Sequence, residues 1–299
     1  MGGLKVLAGT RLGRCLPIGV AMLCGCGGPS EPRTGSDPPA QRIVSLAPHL
    51  TELAYSAGAG AKLVGAVEHS NYPAAARALP RIGDAFRFDF ERIAALEPDL
   101  VLAWRTGTPM QAIERLGALG FRTEVVATAR LVDIAAALRR IGVLAGTEAE
   151  AELAAAEFEH ALASLVEQNA GAREVLVFYQ ISLEPLFTIN DRHLISELLQ
   201  ACGGRNVFAD AGDLAPVVGI EAVLARDPEV IIAAREGGAD ELEFWRRWPD
   251  LAAVRRDNLF AVDADLVARA TTRSLAGAGE ICRALDEARR KPVAVDPAA

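Results

Sequence analysis

The chain has 299 residues, enough for two ordinary domains with a full core in each, and at 51% hydrophobic and 23% charged its composition is globular. Its 39 acidic and 31 basic residues give a formal net charge of −8, which argues against a nucleic-acid partner, since that needs a basic face. Beyond the N-terminus no apolar run is long enough to span a bilayer.

Residues 1–25 read as an export signal rather than as part of the fold. Lys5, Arg11 and Arg14 supply a positive start, and "LPIGVAML" is an apolar core too short for a membrane span. The run Leu23-Cys24-Gly25-Cys26 resembles the lipobox of bacterial lipoproteins, in which Cys26 becomes the lipidated N-terminus; a plain secretory signal is the other reading, and both export the chain. Residues 26–41, through "GGPSEPRTGSDPPA", then read as a lipidated flexible tether, and residues 292–299 as a disordered tail.

From residue 42 short apolar runs alternate with helical patterns. "RIVSLA" reads as a strand, followed by a helix through "TELAYSAG" that ends at Gly58; "KLVGAV" is a second strand. "DLVLAW" is a third, then a helix in "MQAIERLGALG" closed by Gly120, the strand "TEVVAT", and a helix through "LVDIAAALRRIGVLAG". This alternation predicts a parallel sheet with helices on its faces, an N-terminal α/β lobe over residues 42–146.

Residues 147–170 differ. "TEAEAELAAAEFEHALASLVEQN" lacks glycine and proline, and Thr147 with Glu150 predicts a capping box at the head of one long connecting helix. The alternation then resumes over residues 171–291: strand "EVLVFYQ", helices in "HLISELLQACGG" and "IEAVLARDP", strand "EVIIAA", a helix around "ELEFWRRW", strand "NLFAV" and a last helix over 271–290. The expected fold is α/β, with two lobes of mainly parallel sheet joined by the long helix and a ligand cleft between them. A continuous helix resists bending, so that cleft is expected to close only slightly.

Two segments, "FERIAALEPDLVLAW" and "IEAVLARDPEVIIAA", are near-copies, one in each lobe. Their alignment pairs Glu91 with Glu221 and Pro98 with Pro228. Taken singly, each acid is explained by the dipole of the helix it opens. Cysteine usage fits export: once Cys15 and Cys24 leave with the signal and Cys26 carries lipid, Cys202 and Cys282 remain as an even pair. A bridge between them would close a loop of about 80 residues, worth roughly 4 kcal/mol; two buried thiols are the alternative. With no CxxC or histidine-rich neighbourhood, no metal site is expected.

The stretches "RIVSLAPHLTELAYSAGAGAKLVGAVEHSNYP", "FERIAALEPDLVLAWRTG", "LLQACGGRNVFAD" and "EAVLARDPEVII" closely resemble the periplasmic cobalamin-binding proteins of bacterial ABC importers. These belong to the helical-backbone substrate-binding group, whose other members take haem or iron–siderophore complexes. The resemblance runs from about Arg42 to Arg289 and implies the following roles. Glu91 and Glu221 would dock on arginines of the permease dimer, two weak contacts made bivalent on one frame. Asp265 and Arg269, in the loop Asp265-Leu266-Val267-Ala268-Arg269, would bind corrin amides, Asp265 accepting and Arg269 donating. Phe187 and Trp104 would line the cleft, Trp104 at the carboxyl end of its strand. Cys202 and Cys282 match the family's disulfide pair.

Departures from the pattern fall at the same cleft. His69 stands where the cobalamin binders have a tyrosine, as a hydrogen-bonding side chain or a cobalt ligand. Ala85 and Ala215 replace family tryptophans, with Phe86 placed to fill the first gap. The implied protein is a non-enzymatic, monomeric, lipid-anchored periplasmic receptor whose transported ligand is cobalamin or a related corrinoid, with no resident cofactor. Haem or a ferric siderophore in the same fold is the alternative. A purely structural lipoprotein would bind no small ligand tightly. An enzyme is disfavoured by the lack of GxSxG, Walker and HExxH motifs.

Overall fold

The computed structural model describes residues 38–234 and 240–291. The leader, Cys26, most of the tether and the tail 292–299 lie outside the described residues. The N-terminal lobe runs β1 (Ile43–Ser45), α1 (Pro48–Ser56), β2 (Leu63–Ala66), α2 (Phe90–Ala95), β3 (Leu100–Trp104), α3 (Met110–Ala118), β4 (Thr123–Val126) and α4 (Leu131–Ala145). After α5 (Glu148–Asn169), the C-terminal lobe runs β5 (Val175–Gln180), α6 (Leu194–Ala201), β6 (Gly204–Asn206), α7 (Ile220–Arg226), β7 (Val230–Ala234), α8 (Asp240–Glu243), α9 (Ala252–Arg255), β8 (Leu259–Val262), α10 (Ala264–Val267) and α11 (Ser274–Arg290).

The two sheets have the same topology. Their strand orders are β2-β1-β3-β4 and β6-β5-β7-β8, and every pairing is parallel. Parallel strands covered on both faces are apolar without alternation, and β3 and β7 show this with four consecutive buried residues each. The repeated segments become α2–β3 and α7–β7, equivalent pieces of the two lobes. Each of these helices leads into its strand's amino end, so its own first turn lies toward the carboxyl edge of the sheet. Glu91 and Glu221 occupy those first turns, and both are exposed.

The connecting helix packs along α4. Gly142 lets the two approach: a Cβ there would fall 2.3 Å from that of Ala151. Outside that contact Arg139 of α4 grips Glu152 at 2.7 Å and Glu159 at 2.6 Å, one turn apart twice over on α5. The 22 residues of α5 make a rod of about 33 Å. The capping box expected at its head does not form. Thr147 spends its hydroxyl on Ala57 O (2.6 Å), pinning the start of α5 to the end of α1 instead of capping its own helix.

One apolar cluster runs through both lobes, from Leu50 and Leu102 through Ala151 and Phe158 of α5 to Val177 and Ile281. The outer faces of the sheets carry separate clusters, one around Trp245 and one around Ile93. Cys202, just after α6, is bonded to Cys282 of α11 across 80 residues of sequence. Replacing both cysteines with alanine is expected to lower the unfolding free energy by about 4 kcal/mol, because the open chain regains loop entropy. Denaturant titration of the two forms checks this; an unchanged midpoint would contradict it.

Candidate functional site

The carboxyl edges of the two sheets face each other, and two adjoining cavities open between them. The first, about 200 Å³, lies between His49, Trp104 and Thr128 of the N-terminal lobe and Arg192, His193 and Leu214 of the other. The second, about 570 Å³, lies between His69 and Asn71 on one side and Asp263, Asp265 and Arg269 on the other. Ala268 borders both.

Trp104 ends β3, where its backbone N–H donates to Thr108 Oγ1 (2.9 Å). Gly107 lies against the indole so closely that a Cβ would fall 1.8 Å from the ring, so the loop after β3 requires glycine. His49 meets the indole edge-on at 4.8 Å and shares a 3.1 Å hydrogen bond with Thr128 Oγ1. Burial, reinforced by the nearby positive charge of Arg269, pushes the pKa of His49 down to about 3. The imidazole at the cleft floor is therefore neutral at physiological pH.

The second cavity is walled by a polar network joining the lobes. Glu52 of α1 is only 2% exposed, and a buried carboxylate requires partners. Arg269 supplies one at 2.7 Å and Arg273 another at 3.3 Å. Arg269 also pairs with Asp265 (2.7 Å) and donates to His69 O (3.2 Å), and Arg273 lies over the Tyr72 ring at 4.0 Å. Asn71 completes the set. Its carboxamide N–H donates to Asp265 Oδ2 (3.0 Å), and its carboxamide oxygen accepts from Arg269 Nη1 (2.7 Å).

The residues singled out in the sequence fall into three groups. His69, Asp265, Ala268 and Arg269 surround the second cavity, and Trp104 lines the first. His69 is exposed and in the left-handed region (φ 62°), a backbone that presents its carbonyl to Arg269. Leu266 is half-buried, whereas Val267 is fully buried against Gly277 of α11 and anchors the loop, leaving no surface for a ligand. Phe86 and Phe187 line neither cavity: Phe86 is 79% exposed beside a hollow with Phe90 and Arg115, and Phe187 is held by backbone bridges to Ser182 and Val217.

Sequence reasoning missed His49, Glu52 and Asn71, and with them His193. The signal was present in "PHLTE": a helix that leaves a buried strand carries His49 and Glu52 three residues apart, on the face where apolar residues belong. Among the described residues no helix is long and apolar enough to cross a membrane.

A family model described as periplasmic binding protein matches residues 43–266, which include both sheets and the cleft residues as far as Asp265. The chain belongs to the periplasmic binding protein family. It is 37% identical to the vitamin B12-binding protein of Vibrio cholerae over 254 residues, which is 85% of this chain and 92% of that one. The vitamin B12-binding protein of Vibrio parahaemolyticus is 35% identical, over 86% and 94% of the two chains. Among solved structures, the periplasmic vitamin B12 binding protein of Vibrio cholerae superposes with a TM-score of 0.78 at 36% identity, covering 85% of this chain and 99% of that one. A periplasmic heme-binding protein from Roseiflexus sp. RS-1 superposes with a TM-score of 0.76 at 24% identity, over 84% and 100%, a likeness of fold alone.

In this periplasmic binding protein the pKa of His49 makes a pH prediction. Its folded pKa lies below the free value of 6.5, so the unfolded chain takes up the proton first and acid favours unfolding. The stabilisation is complete above pH 6.5 and is lost as pH falls toward 3, at up to about 1.4 kcal/mol per pH unit. Between pH 6.5 and 5 the stability of the native chain should fall more steeply than that of His49→Asn by about this slope. Parallel denaturation curves would contradict it.

Proposed function

We propose that this chain captures cobalamin or a related corrinoid outside the cytoplasmic membrane and delivers it to an ABC importer. The observation that carries the reading is the carboxamide of Asn71, held between Asp265 and Arg269. An amide N–H on the carboxylate and an amide oxygen on the guanidinium is the pattern a primary carboxamide of the corrin rim would make. The pair thus has the spacing and chemistry for that ligand, and Trp104 offers an aromatic wall beside it. The family and the naming of the relatives above support the same ligand class.

Delivery rests on Glu91 and Glu221. Each sits in an exposed first turn at an equivalent place in its lobe, shortly after an exposed apolar residue, Phe86 at 79% and Val217 at 59%. Two matching acid-and-apolar patches suit a partner built from two copies of one permease subunit, which makes each weak contact effectively intramolecular. Cys26, carrying lipid, would hold the receptor at a membrane.

Calorimetric titration with cyanocobalamin should give a submicromolar Kd, with haemin binding more weakly. Asp265→Ala and Arg269→Ala should each weaken cyanocobalamin by about tenfold or more. The double variant Glu91→Ala with Glu221→Ala should keep the native Kd and lose uptake in cells. No binding, or haemin binding tighter than cyanocobalamin, would overturn the reading.

A further inference from the structure

The two cavities differ in hydrogen-bonding character. The second is mixed, with acceptors on Asp265 and donors on Arg269. The first holds no carboxylate among its described lining residues, and its only charged side chain is Arg192. Its outward donors come from Arg192 and His193; the indole N–H of Trp104 is buried with almost no accessible surface and has no partner among the described residues. His193 caps α6: its Nδ1 accepts from the backbone N–H of Ile195 at 3.2 Å. Burial lowers its pKa, so the ring keeps a single proton, which the cap places on Nε2. Arg192 uses one nitrogen of its guanidinium on Gly212 O, and its Nε and Nη1 have no partner among the described residues. The acid nearest along α6, Glu197, is engaged by Arg130 at 2.7 Å and by the backbone N–H of Leu131 at 2.8 Å.

A pocket that offers an imidazole N–H and one guanidinium, with no carboxylate among its described lining residues, suits an anionic group that only accepts hydrogen bonds. A corrinoid with a complete lower ligand has one such group, the phosphodiester of its nucleotide loop; its other rim substituents are carboxamides, which both donate and accept. We infer that the Trp104–Arg192–His193 cavity is a subsite for the nucleotide-loop phosphodiester, and that Arg192 and His193 make this receptor select complete corrinoids over those lacking the loop. The inference rests on the corrinoid reading above and adds a division of labour: one cavity reads rim amides, the other reads the loop.

Dicyanocobinamide has the corrin and its amides but no nucleotide loop, so it separates the two claims. By calorimetric titration the native protein should bind cyanocobalamin at least about tenfold more tightly than dicyanocobinamide. Arg192→Gln and His193→Ala should each weaken cyanocobalamin while leaving dicyanocobinamide unchanged, bringing the ratio toward one. His193→Asn, which can still cap α6 and donate from its side-chain amide, should restore most of the ratio. Equal native affinity for the two corrinoids, or variants that weaken both alike, would overturn the subsite while leaving the corrinoid reading intact. Binding of neither compound would overturn both.

Discussion

The buried carboxylate of Glu52 is the constraint on which the cleft depends. It enters from the N-terminal lobe, and its charge is compensated by Arg269 and Arg273 of the C-terminal lobe. Removing one partner from such a pair strands an uncompensated charge, at a cost of about 3–5 kcal/mol, so the lobes cannot part here cheaply. The pair therefore works with α5: the helix sets the separation at the back, and Glu52–Arg269 sets it inside the cleft. Asp265, Asn71 and the neutral His49 are then positioned around a guanidinium that is already fixed.

This arrangement has a functional consequence. A ligand reaching Asp265 and Arg269 meets groups whose rotamers are already held by protein partners, so little ordering remains to be done on binding. Asn71 occupies the position that an incoming carboxamide would contest. Exchange of one amide for another would keep the hydrogen-bond count of the network constant, so a tightly paired network would still admit the proposed carboxamide. The neighbouring cavity shows no such internal substitute among the described residues, and the indole N–H of Trp104 is buried beside it without a partner among them.

Much of the frame was legible in the sequence because it follows from period and punctuation. The buried strands are unbroken apolar runs, and Gly120 and Gly146 mark helix ends with positive φ. The 22-residue α5 stands out by composition. The twin glutamates were visible only because the unit is written twice. The short pieces were not legible: β6 is three residues, Gly204–Asn206, and α10 is one turn, and neither is long enough to show a period. Thr147 had the local signature of a cap, yet a tertiary acceptor, Ala57 O, took its hydroxyl. The cleft network was hidden for the same kind of reason. Glu52 and Arg269 stand 217 positions apart, so the face Glu52 shares with His49 marks the acid as buried while nothing local names its partner.

The central claim is that α5 and the Glu52–Arg269 pair hold the lobes at one separation before any ligand arrives. Spin labels attached at positions 91 and 221, both exposed and one on each lobe, report that separation by double electron–electron resonance. The account predicts a single narrow distance in the ligand-free protein, shifting by no more than about 2 Å when cyanocobalamin saturates the cleft. A broad ligand-free distribution, or a closure well beyond that shift, would contradict it.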